Sequence, residues 1–285
     1  MTSQVGILYV VATPIGNLED LSPRAVATLQ SVAVVAAEDT RHSGRLLQHF
    51  GVKSGLISCH EHNEAERIPQ LLGRLQGGED IALISDAGTP LISDPGYRLV
   101  AAAAAAGIRV CPIPGCSAVM AALSVAGLPT DEFLFAGFLP ATKKRREDRL
   151  AELADCNSTM VLFESVHRIR VCLQSLVQVF GHERPAVAMR ELTKLHETVY
   201  RGTLAAVLEQ IEGQASAGKG EYTLVIGGAA GRQAGDADLD RALGVLLGHL
   251  GVRQAADAAA KILNLKKNQA YKRALELREG SDNDY

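Results

Sequence analysis

Charged side chains that could exchange protons follow several apolar stretches of this sequence. Glu38, Asp39 and Arg41 come directly after the run VAVVAA, and His60 and Glu61 follow the run LIS closely. A carboxylate or an imidazole acts as a general base when a fold holds it beside a reacting proton, and a nearby cation eases ionisation of the reacting group. Five charged residues are therefore catalytic candidates, with no single base assigned: Asp39, Arg41, Glu61, Glu191 and Lys194.

These candidates also have plain structural interpretations. Asp39 with Arg41, and Glu191 with Lys194, are close enough in sequence to form ordinary ion pairs, which perturb pKa values without any catalytic role. The stretch HEHN, residues 60–63, is interpreted as a polar loop facing a substrate, as a solvated cap of the next helix or as a metal site. Because the sequence supplies too few further ligands beside it, we predict no metal.

Glycine-rich loops follow three of the apolar runs. The stretch SDAGTPLISDPG stands directly behind the run IALI, and TPIGN and PGCSA follow two other runs. Gly16, Gly88 and Gly115 would let main-chain groups approach a ligand closely. No GxGxxG follows the first run and no GxxxxGK[ST] occurs, so neither a dinucleotide nor a phosphate-binding loop is indicated. The loops predict a small, phosphate-free ligand, and adenosine compounds without phosphates fit that description.

The elements that must position these loops form an alternating pattern. Strand-like runs alternate with helix-period segments through the first half of the chain, which is typical of an α/β fold with a parallel sheet. Since ligands bind outside the carboxyl ends of such strands, we expect the polar loops to share one edge. Ser22 with Pro23 predicts one helix start, and Asn63 with Glu66 predicts another through a capping box.

The chain is predicted to fold as two α/β lobes and a helical domain. The first lobe covers residues 1–118, and a second lobe with a mixed sheet covers 119–228, with a ligand cleft between them. The small-residue stretch at 229–236 is interpreted as a linker. Residues 237–285 contain three short helical patterns, about the size of a helix-turn-helix bundle.

Positive charge is concentrated in two places although the net charge is only −3. From Arg241 to Arg278, Lys and Arg outnumber Asp and Glu by eight to two. A second basic run follows Pro140, and such runs favour a polyanion partner, although a solvated helix face or a packing surface is the alternative. Aromatic residues make up 4% of the chain, so stacking of bases on aromatic side chains is not expected to be the main way in which the protein binds RNA. The predicted RNA contacts are Lys143, Lys144, Arg145, Arg146, Lys266 and Lys267.

Composition also bears on the class of protein. The five cysteines are scattered without a CxxC pair, which argues against a disulfide framework or a structural zinc site. No apolar stretch approaches the roughly 20 residues that cross a bilayer, and the N-terminus lacks a basic signal region. We expect a cytoplasmic protein without a membrane segment.

Eight stretches together resemble the tetrapyrrole methylase superfamily. They lie between residues 7 and 227: VATPIGNLEDLSPRA, AAEDTRHSGRLL, LISDAGTPLISDPG, PIPGCSA, GLPTDEFLFAGFLP, FESVHRI, ELTKLHETVYRG and GEYTLVI. Within the superfamily they are similar to the branch that methylates the 2′-hydroxyl of a cytidine in the decoding region of 16S ribosomal RNA. Tetrapyrrole-modifying relatives carry GxGPG and GDPxxF where this chain has TPIGN and GTPLIS, which favours the RNA branch.

The resemblance implies S-adenosylmethionine as methyl donor, a 16S RNA or 30S subunit substrate and a homodimer. It assigns the turn Ala87, Gly88 and Thr89 to the methionine part of the donor, and Glu164 and Tyr222 to the adenosine. The full set of implied donor-binding residues is Pro14, Asp86, Ala87, Gly88, Thr89, Ser117, Ala118, Glu164, Tyr222 and Thr223. Two alternatives stay open, a tetrapyrrole C-methyltransferase and a ribosome-assembly RNA binder without catalysis.

Overall fold

A computed structural model describes residues 5–213, 220–229, 236–263 and 265–282 of the chain. The chain divides into two compact units, Met1–Gly228 and Ala229–Tyr285. The first unit is built around two five-stranded sheets. Among the described residues, no helix combines the length and the apolar character that a membrane span requires.

The first sheet is parallel throughout, as predicted. Its strands stand in the order β3-β2-β4-β1-β5. Strands β2 and β4 are buried along their whole length because apolar clusters cover both faces of the sheet. The elements are β1 Leu8–Val11, α1 Pro23–Ser31, β2 Val34–Ala37, α2 Thr40–His49, β3 Gly55–Ser58, α3 Glu64–Gln76, β4 Ile81–Ile84, α4 Tyr97–Ala105, β5 Val110–Ile113 and α5 Ala118–Ala126.

Two predicted helix starts have different outcomes. Ser22 caps α1, since its hydroxyl accepts the Ala25 N–H at 3.1 Å and Pro23 occupies the first turn. The capping box at Asn63 is wrong, because Asn63 makes no side-chain cap for α3. Its Oδ1 accepts the His60 N–H at 2.8 Å and its Nδ2 donates to the Ser58 carbonyl at 3.2 Å. The side chain therefore closes the preceding loop instead.

The second sheet is mixed, also as predicted. Its order is β6-β7-β10-β8-β9, in which β6 and β7 are parallel and the other pairs are antiparallel. Helix α5 packs its buried residues against one face, and the larger apolar cluster of this lobe includes residues of α6, α7 and α8. The elements are β6 Phe133–Phe138, α6 Lys143–Leu153, β7 Thr159–Ser165, α7 Ile169–Phe180, β8 Pro185–Arg190, β9 Thr198–Thr203, α8 Leu204–Glu212 and β10 Glu221–Ile226.

The described part of the second unit contains three helices, α9 Asp236–Leu247, α10 Val252–Ile262 and α11 Lys267–Asp282. Its core is built largely from alanines, which let the helices pack closely. Arg273 fastens α11 to α9 with two hydrogen bonds to the Asp240 carboxylate, at 2.6 and 2.7 Å. The predicted helical domain is confirmed, while most of the predicted linker lies outside the described residues.

Candidate active site

A cavity of about 330 Å³ lies between the two sheets of the first unit. The first sheet contributes the loops after β1, β4 and β5, and the second contributes the end of β7, the start of β10 and the segment after β8. This combination follows from strand order, because β4, β1 and β5 are neighbours in the first sheet. In the second sheet, β10 lies between β7 and β8 and runs antiparallel to both.

The loops after β1, β4 and β5 are fastened to one another by hydrogen bonds. The N–H of Thr13 donates to the Gly88 carbonyl at 2.9 Å, and the Gly88 N–H donates to the Thr13 carbonyl at 3.0 Å. The Thr89 hydroxyl donates to the Cys116 carbonyl at 2.9 Å. Gly88 has φ of +80°, a conformation that favours glycine. These bonds fix the turn that forms one wall of the cavity.

Eight of the ten residues predicted to bind the donor line this cavity: Ala87, Gly88, Thr89, Ser117, Ala118, Glu164, Tyr222 and Thr223. Pro14 and Asp86 are not among the lining residues. Pro14 is buried within the first loop. The Oδ1 of Asp86 accepts the Asp39 N–H at 3.1 Å, and this bond connects the loop after β4 to the loop after β2.

The three glycines of these loops do not share one role. Of Gly16, Gly88 and Gly115, only Gly88 lines the cavity. At Gly16 a Cβ would collide with the Lys194 side chain, and at Gly115 it would lie 3.0 Å from the Ala12 Cβ. The prediction of close approach to a ligand therefore fails at Gly16 and Gly115, where the neighbour is the protein itself.

The start of helix α5 faces the cavity through Ser117 and Ala118. Ser117 is the N-cap, and its hydroxyl accepts the Met120 N–H at 3.5 Å. The N-terminus of a helix carries partial positive charge and unpaired N–H groups, so it favours an anionic group on a ligand.

The wall from the second lobe contains a buried carboxylate. Glu164 is 2% exposed; its Oε1 accepts the Ser165 N–H at 2.8 Å, and its Oε2 lies 3.2 Å from Nη2 of Arg168. Tyr222 pairs with Glu164 across β7 and β10, and its ring packs in the core of the second lobe. Burial raises the pKa of the Tyr222 phenol, with a further contribution from Tyr200.

Glu191 and Lys194 line the cavity but are bonded to each other. Nζ of Lys194 lies 2.9 Å from Oε1 of Glu191 and 3.4 Å from Oε2 of Glu221. Partial burial opposes ionisation of both groups, yet these contacts outweigh it, so the pKa of Glu191 is lowered and the pKa of Lys194 is raised. At neutral pH neither side chain is therefore available as an unpaired general base. Glu191 and Thr193 hold positive φ angles of 54° and 65°, which marks this segment as strained.

Asp39, Arg41 and Glu61 do not line the cavity. Asp39 caps α2, where its Oδ1 accepts the Arg41 N–H at 2.7 Å, and these backbone bonds lower the pKa of its carboxyl. The Arg41 side chain is 92% exposed. Glu61 is exposed as well, in the turn before α3. No group of three His, Cys, Asp or Glu side chains suited to a metal ion occurs in the part of the chain that the structure describes.

Sequence reasoning missed two carboxylates of the cavity, Asp94 and Glu221. The Glu221 side chain is 81% exposed and pairs with Lys194. Asp94 is partly buried. Burial is the main cause that raises the pKa of its carboxyl from 3.8 to about 6. The charges of Glu38 and Asp86 act in the same direction, and a hydrogen bond with Ser85 opposes it. Asp94 belongs to the quoted stretch SDAGTPLISDPG, but nothing in the pattern distinguishes it from a turn-forming Asp before Pro.

Aromatic and aliphatic lining residues were also missed. Phe138 is 57% exposed and stacks edge to face on Phe163, with ring centroids 5.7 Å apart. Phe163 makes a second such contact with Phe135 at 5.0 Å. The remaining apolar lining comes from Ile15, Ile92, Met189 and Leu192.

The predicted RNA contacts separate into exposed and buried side chains. Lys143, Lys144 and Arg145 are exposed in the first turn of α6. Arg146 is 4% exposed, with Nε donating to the Ser175 hydroxyl at 3.0 Å and Nη1 donating to the Ala141 carbonyl at 3.1 Å. The prediction for Arg146 is therefore wrong, since its guanidinium holds α6 against α7.

The two predicted contacts in the second unit are both exposed. Lys266 precedes α11, and Lys267 begins it. Nζ of Lys267 lies 2.6 Å from Oδ1 of Asp257, which also pairs with Lys261. The charge of Lys267 is thus partly compensated within the unit.

Comparison with known proteins agrees with this architecture. Residues 7–208 match the family described as Tetrapyrrole (Corrin/Porphyrin) Methylases, and residues 233–278 match the RsmI C-terminal HTH domain. Two relatives are called ribosomal RNA small subunit methyltransferase I. The one from Pseudomonas aeruginosa is 49% identical over 95% of this chain and 97% of its own length, and the one from Escherichia coli O157:H7 is 47% identical over 95% of each chain.

Solved structures resemble the first unit. Uroporphyrin-III C-methyl transferase from Thermus thermophilus, in complex with S-adenyl homocysteine, matches with a TM-score of 0.54 and 18% identity. The match covers 78% of this chain and 97% of that protein. At this identity the likeness concerns the fold alone. The family match covers the whole first sheet and strands β6 to β9 of the second, with the cavity loops that belong to them, and this chain belongs to the tetrapyrrole methylase family.

Proposed function

We propose that this protein uses S-adenosylmethionine to methylate the 2′-hydroxyl of a cytidine in the decoding region of 16S ribosomal RNA. The observation that carries the proposal is the cavity between the two lobes, which has the size, the lining and the charge that suit the donor. The names of the relatives support ribosomal RNA as the substrate.

The cavity fits a phosphate-free adenosyl donor. Its volume of about 330 Å³ falls at the lower end of the roughly 300–1,000 Å³ of small-molecule sites. Four carboxylates and one ammonium group line it, which complements a sulfonium cation and opposes a polyphosphate. The N-terminus of α5 suits the donor's carboxylate, and the apolar lining around Phe163 and Met189 suits an adenine ring.

Bound S-adenosylmethionine supplies a methyl group that is already electrophilic, so the chain needs no metal for this transfer. The residues of this protein must hold a ribose hydroxyl in line with that methyl group, exclude water and take up the hydroxyl proton. A cavity walled by two rigid sheets meets the first requirement, because strand ends position side chains more accurately than mobile loops do.

Positive charge at the start of α6 supports the RNA substrate. The first turn of the helix contains Lys143, Lys144 and Arg145. The helix macrodipole is also positive at this end, so each of these cations lowers the stability of the helix. Thr142 makes no side-chain cap hydrogen bond, so the first N–H groups add to the anion-binding character. A short connection joins this turn to Phe138 at the cavity, and phosphates bound at the turn would bring a nucleotide to the cavity.

The second unit supplies further cationic surface, with Lys266 exposed at the start of α11. We further propose that the protein forms a homodimer. Met120 and Val125 on α5 are exposed apolar side chains of the kind that a subunit interface covers. Sedimentation equilibrium distinguishes a dimer from a monomer and so tests this point.

The substrate is tested by incubating the protein with donor labelled in the methyl group. Assembled 30S subunits, naked 16S RNA and a tetrapyrrole precursor are offered separately, and nucleosides are identified by mass spectrometry after digestion. We expect label in 2′-O-methylcytidine only. Label in the tetrapyrrole alone contradicts the proposal, and calorimetry without any heat of donor binding to folded protein would leave only an RNA binder.

The role of the α6 turn is tested by the double substitution Lys144→Glu and Arg145→Glu. Removing two phosphate contacts is expected to weaken RNA binding and to lower the slope of log affinity against log salt by about 2. The matched control is Lys53→Glu with Arg109→Glu, which reverses two exposed cations just before β3 and β5. These residues lie at the amino ends of the parallel strands, whereas the cavity loops follow the carboxyl ends. Equal RNA binding by the two variants over a range of salt refutes this role.

A further inference from the structure

We infer that Asp94 is the catalytic residue that accepts the proton of the substrate hydroxyl. The inference rests on the proposed function and concerns a step for which five sequence candidates were available. Asp94 lines the cavity on the same loop as the turn Ala87 to Thr89. A carboxylate in this position can contact a hydroxyl that is held in the cavity beside the donor.

The other candidates are excluded by their contacts or by their place. Asp39 is engaged as the cap of α2, and Arg41 and Glu61 lie outside the cavity and are exposed to solvent. Glu191 and Lys194 line the cavity but neutralise each other at 2.9 Å. Asp94 differs from all five because it lines the cavity, hydrogen-bonds to the Ser85 hydroxyl, and has two carboxylates and no cation among the charged groups that shift its pKa.

The backbone around Asp94 is shaped to hold it in place. Leu91 and Ser93 have φ of 75° and 69°, in the left-handed region that side chains with a Cβ rarely adopt. Two such residues within the three positions before Asp94 indicate that the surrounding contacts fix this loop, as happens at functional sites. The second lobe borders this loop at Gly137, where an added Cβ would lie 3.4 Å from the Ser93 Oγ.

Burial is the main determinant of the basicity of Asp94, and nearby charged groups add to it. The charges of Glu38, which follows β2, and of Asp86, which follows β4, act on its carboxyl group, and the buried Ser85 hydroxyl hydrogen-bonds to it. His60 acts on this cluster through Glu38, since the two are electrostatically coupled. The far wall presents Glu164, Glu221 and the Glu191 pair with Lys194. Burial, with smaller contributions from the charges of Glu38 and Asp86, raises the pKa of Asp94 to about 6, so it is ionised at neutral pH and more basic than an ordinary Asp.

Methyl transfer needs no reactant besides the donor, the substrate hydroxyl and the Asp94 carboxylate. The hydroxyl oxygen forms a bond to the methyl carbon as the bond between that carbon and the sulfonium sulfur breaks, and the sulfur keeps the electron pair as a neutral thioether. The hydroxyl proton passes to the Asp94 carboxylate. The neutral acid then releases the proton to solvent, to which the partly exposed Asp94 has access.

The experiment compares Asp94→Asn and Asp94→Glu with the natural protein. The control is Asp131→Asn, because Asp131 is exposed just before β6 and only the other end of that strand, at Phe138, lines the cavity. Single-turnover methyl transfer to 30S subunits is measured from pH 5 to 8, and donor affinity is measured by calorimetry. General bases contribute about 10²- to 10⁴-fold. We expect Asp94→Asn to lose at least about a hundredfold in rate, to lose the rise of rate with pH around 6, and to keep its donor affinity within a few fold. Asp94→Glu should restore a pH-dependent rate.

Three results would overturn the inference. The first is a rate for Asp94→Asn within tenfold of the natural protein, and the second is an unchanged pH profile. The third is a loss of donor affinity that matches the loss of rate, because Asp94 would then bind the donor. If the natural protein transfers no methyl group to 30S subunits, the proposed function fails and the inference fails with it. An active natural protein with an equally active variant rejects the inference alone.

Discussion

Replacing Asp94 with Asn should make the protein more stable while it removes activity. In the folded protein the carboxyl group is partly buried and faces the carboxylates of Glu38 and Asp86, and these surroundings raise its pKa from 3.8 to about 6. An ionised Asp94 is therefore disfavoured by the fold at neutral pH. Asn has nearly the same shape and no charge, so it avoids this cost.

The magnitude follows from the pKa shift. A shift of about 2 units corresponds to about 3 kcal/mol at 1.36 kcal/mol per unit. Because Asp94 keeps some contact with solvent, screening reduces this to about 1–2 kcal/mol. The folded state of the natural protein holds the Asp94 proton more tightly than the unfolded state does. Its stability should therefore fall as the pH rises from about 4 to about 6, and the full cost should be present above that range.

The assay is thermal unfolding of the full chain by calorimetry between pH 4 and pH 8. Asp94→Asn should melt about 2–6 °C above the natural protein at pH 8, and the difference should vanish near pH 4, where the folded Asp94 is neutral. Asp131→Asn should melt with the natural protein at every pH, because Asp131 is exposed. A difference that does not change with pH, or a lower melting temperature of Asp94→Asn at pH 8, would refute the reasoning.

Two further substitutions test the roles given to an aromatic and to a buried cation. Phe138 is exposed and lines the cavity, so its ring could stack on a base of the substrate. Phe138→Ala should then raise the KM for 30S subunits by about fivefold, the lower end of what one stacked base contributes, and should affect donor affinity less. Steady-state kinetics and calorimetry measure the two, and an unchanged KM counts against a stacking role. Arg146→Met should cost about 2–3 kcal/mol of stability in urea unfolding, because it leaves the buried Ser175 hydroxyl unpaired. RNA affinity of the folded variant should be unchanged, and a clear loss of affinity would restore Arg146 as an RNA contact.

The sequence predicts much of this fold because its apolar runs and helix punctuation are local signals. The runs VAVVAA and IALI coincide with the buried strands β2 and β4, and Ser22 with Pro23 marks the start of α1. The order of the strands is not a local signal. That order brings the loops after β4, β1 and β5 around the cavity and leaves the loops after β2 and β3 beyond it. Asp39 and Glu61 were therefore reasonable candidates that the topology keeps away from the site.

Residue type alone also fails to separate a binding cation from a buried one. Lys143 to Arg146 form one basic run in the sequence, yet the fourth position of the run turns inward because of the helical period and meets Ser175. Asp94 is the opposite case. It has the composition of a turn, and its raised pKa comes from its burial in the fold, with smaller contributions from the charges of Glu38 and Asp86. Such effects depend on contacts between residues far apart in sequence, which periodicity does not encode.

The central claim is that the cavity between the two sheets holds the methyl donor. A crystal structure of the protein with S-adenosylhomocysteine tests it most directly. We predict that the methionine part lies against the turn Ala87 to Thr89 and the start of α5, that the adenosine lies beside Glu164 and Thr223, and that the sulfur faces Asp94. Density for the ligand at any other place, or a sulfur atom turned away from Asp94 and enclosed by the apolar wall, would contradict the account.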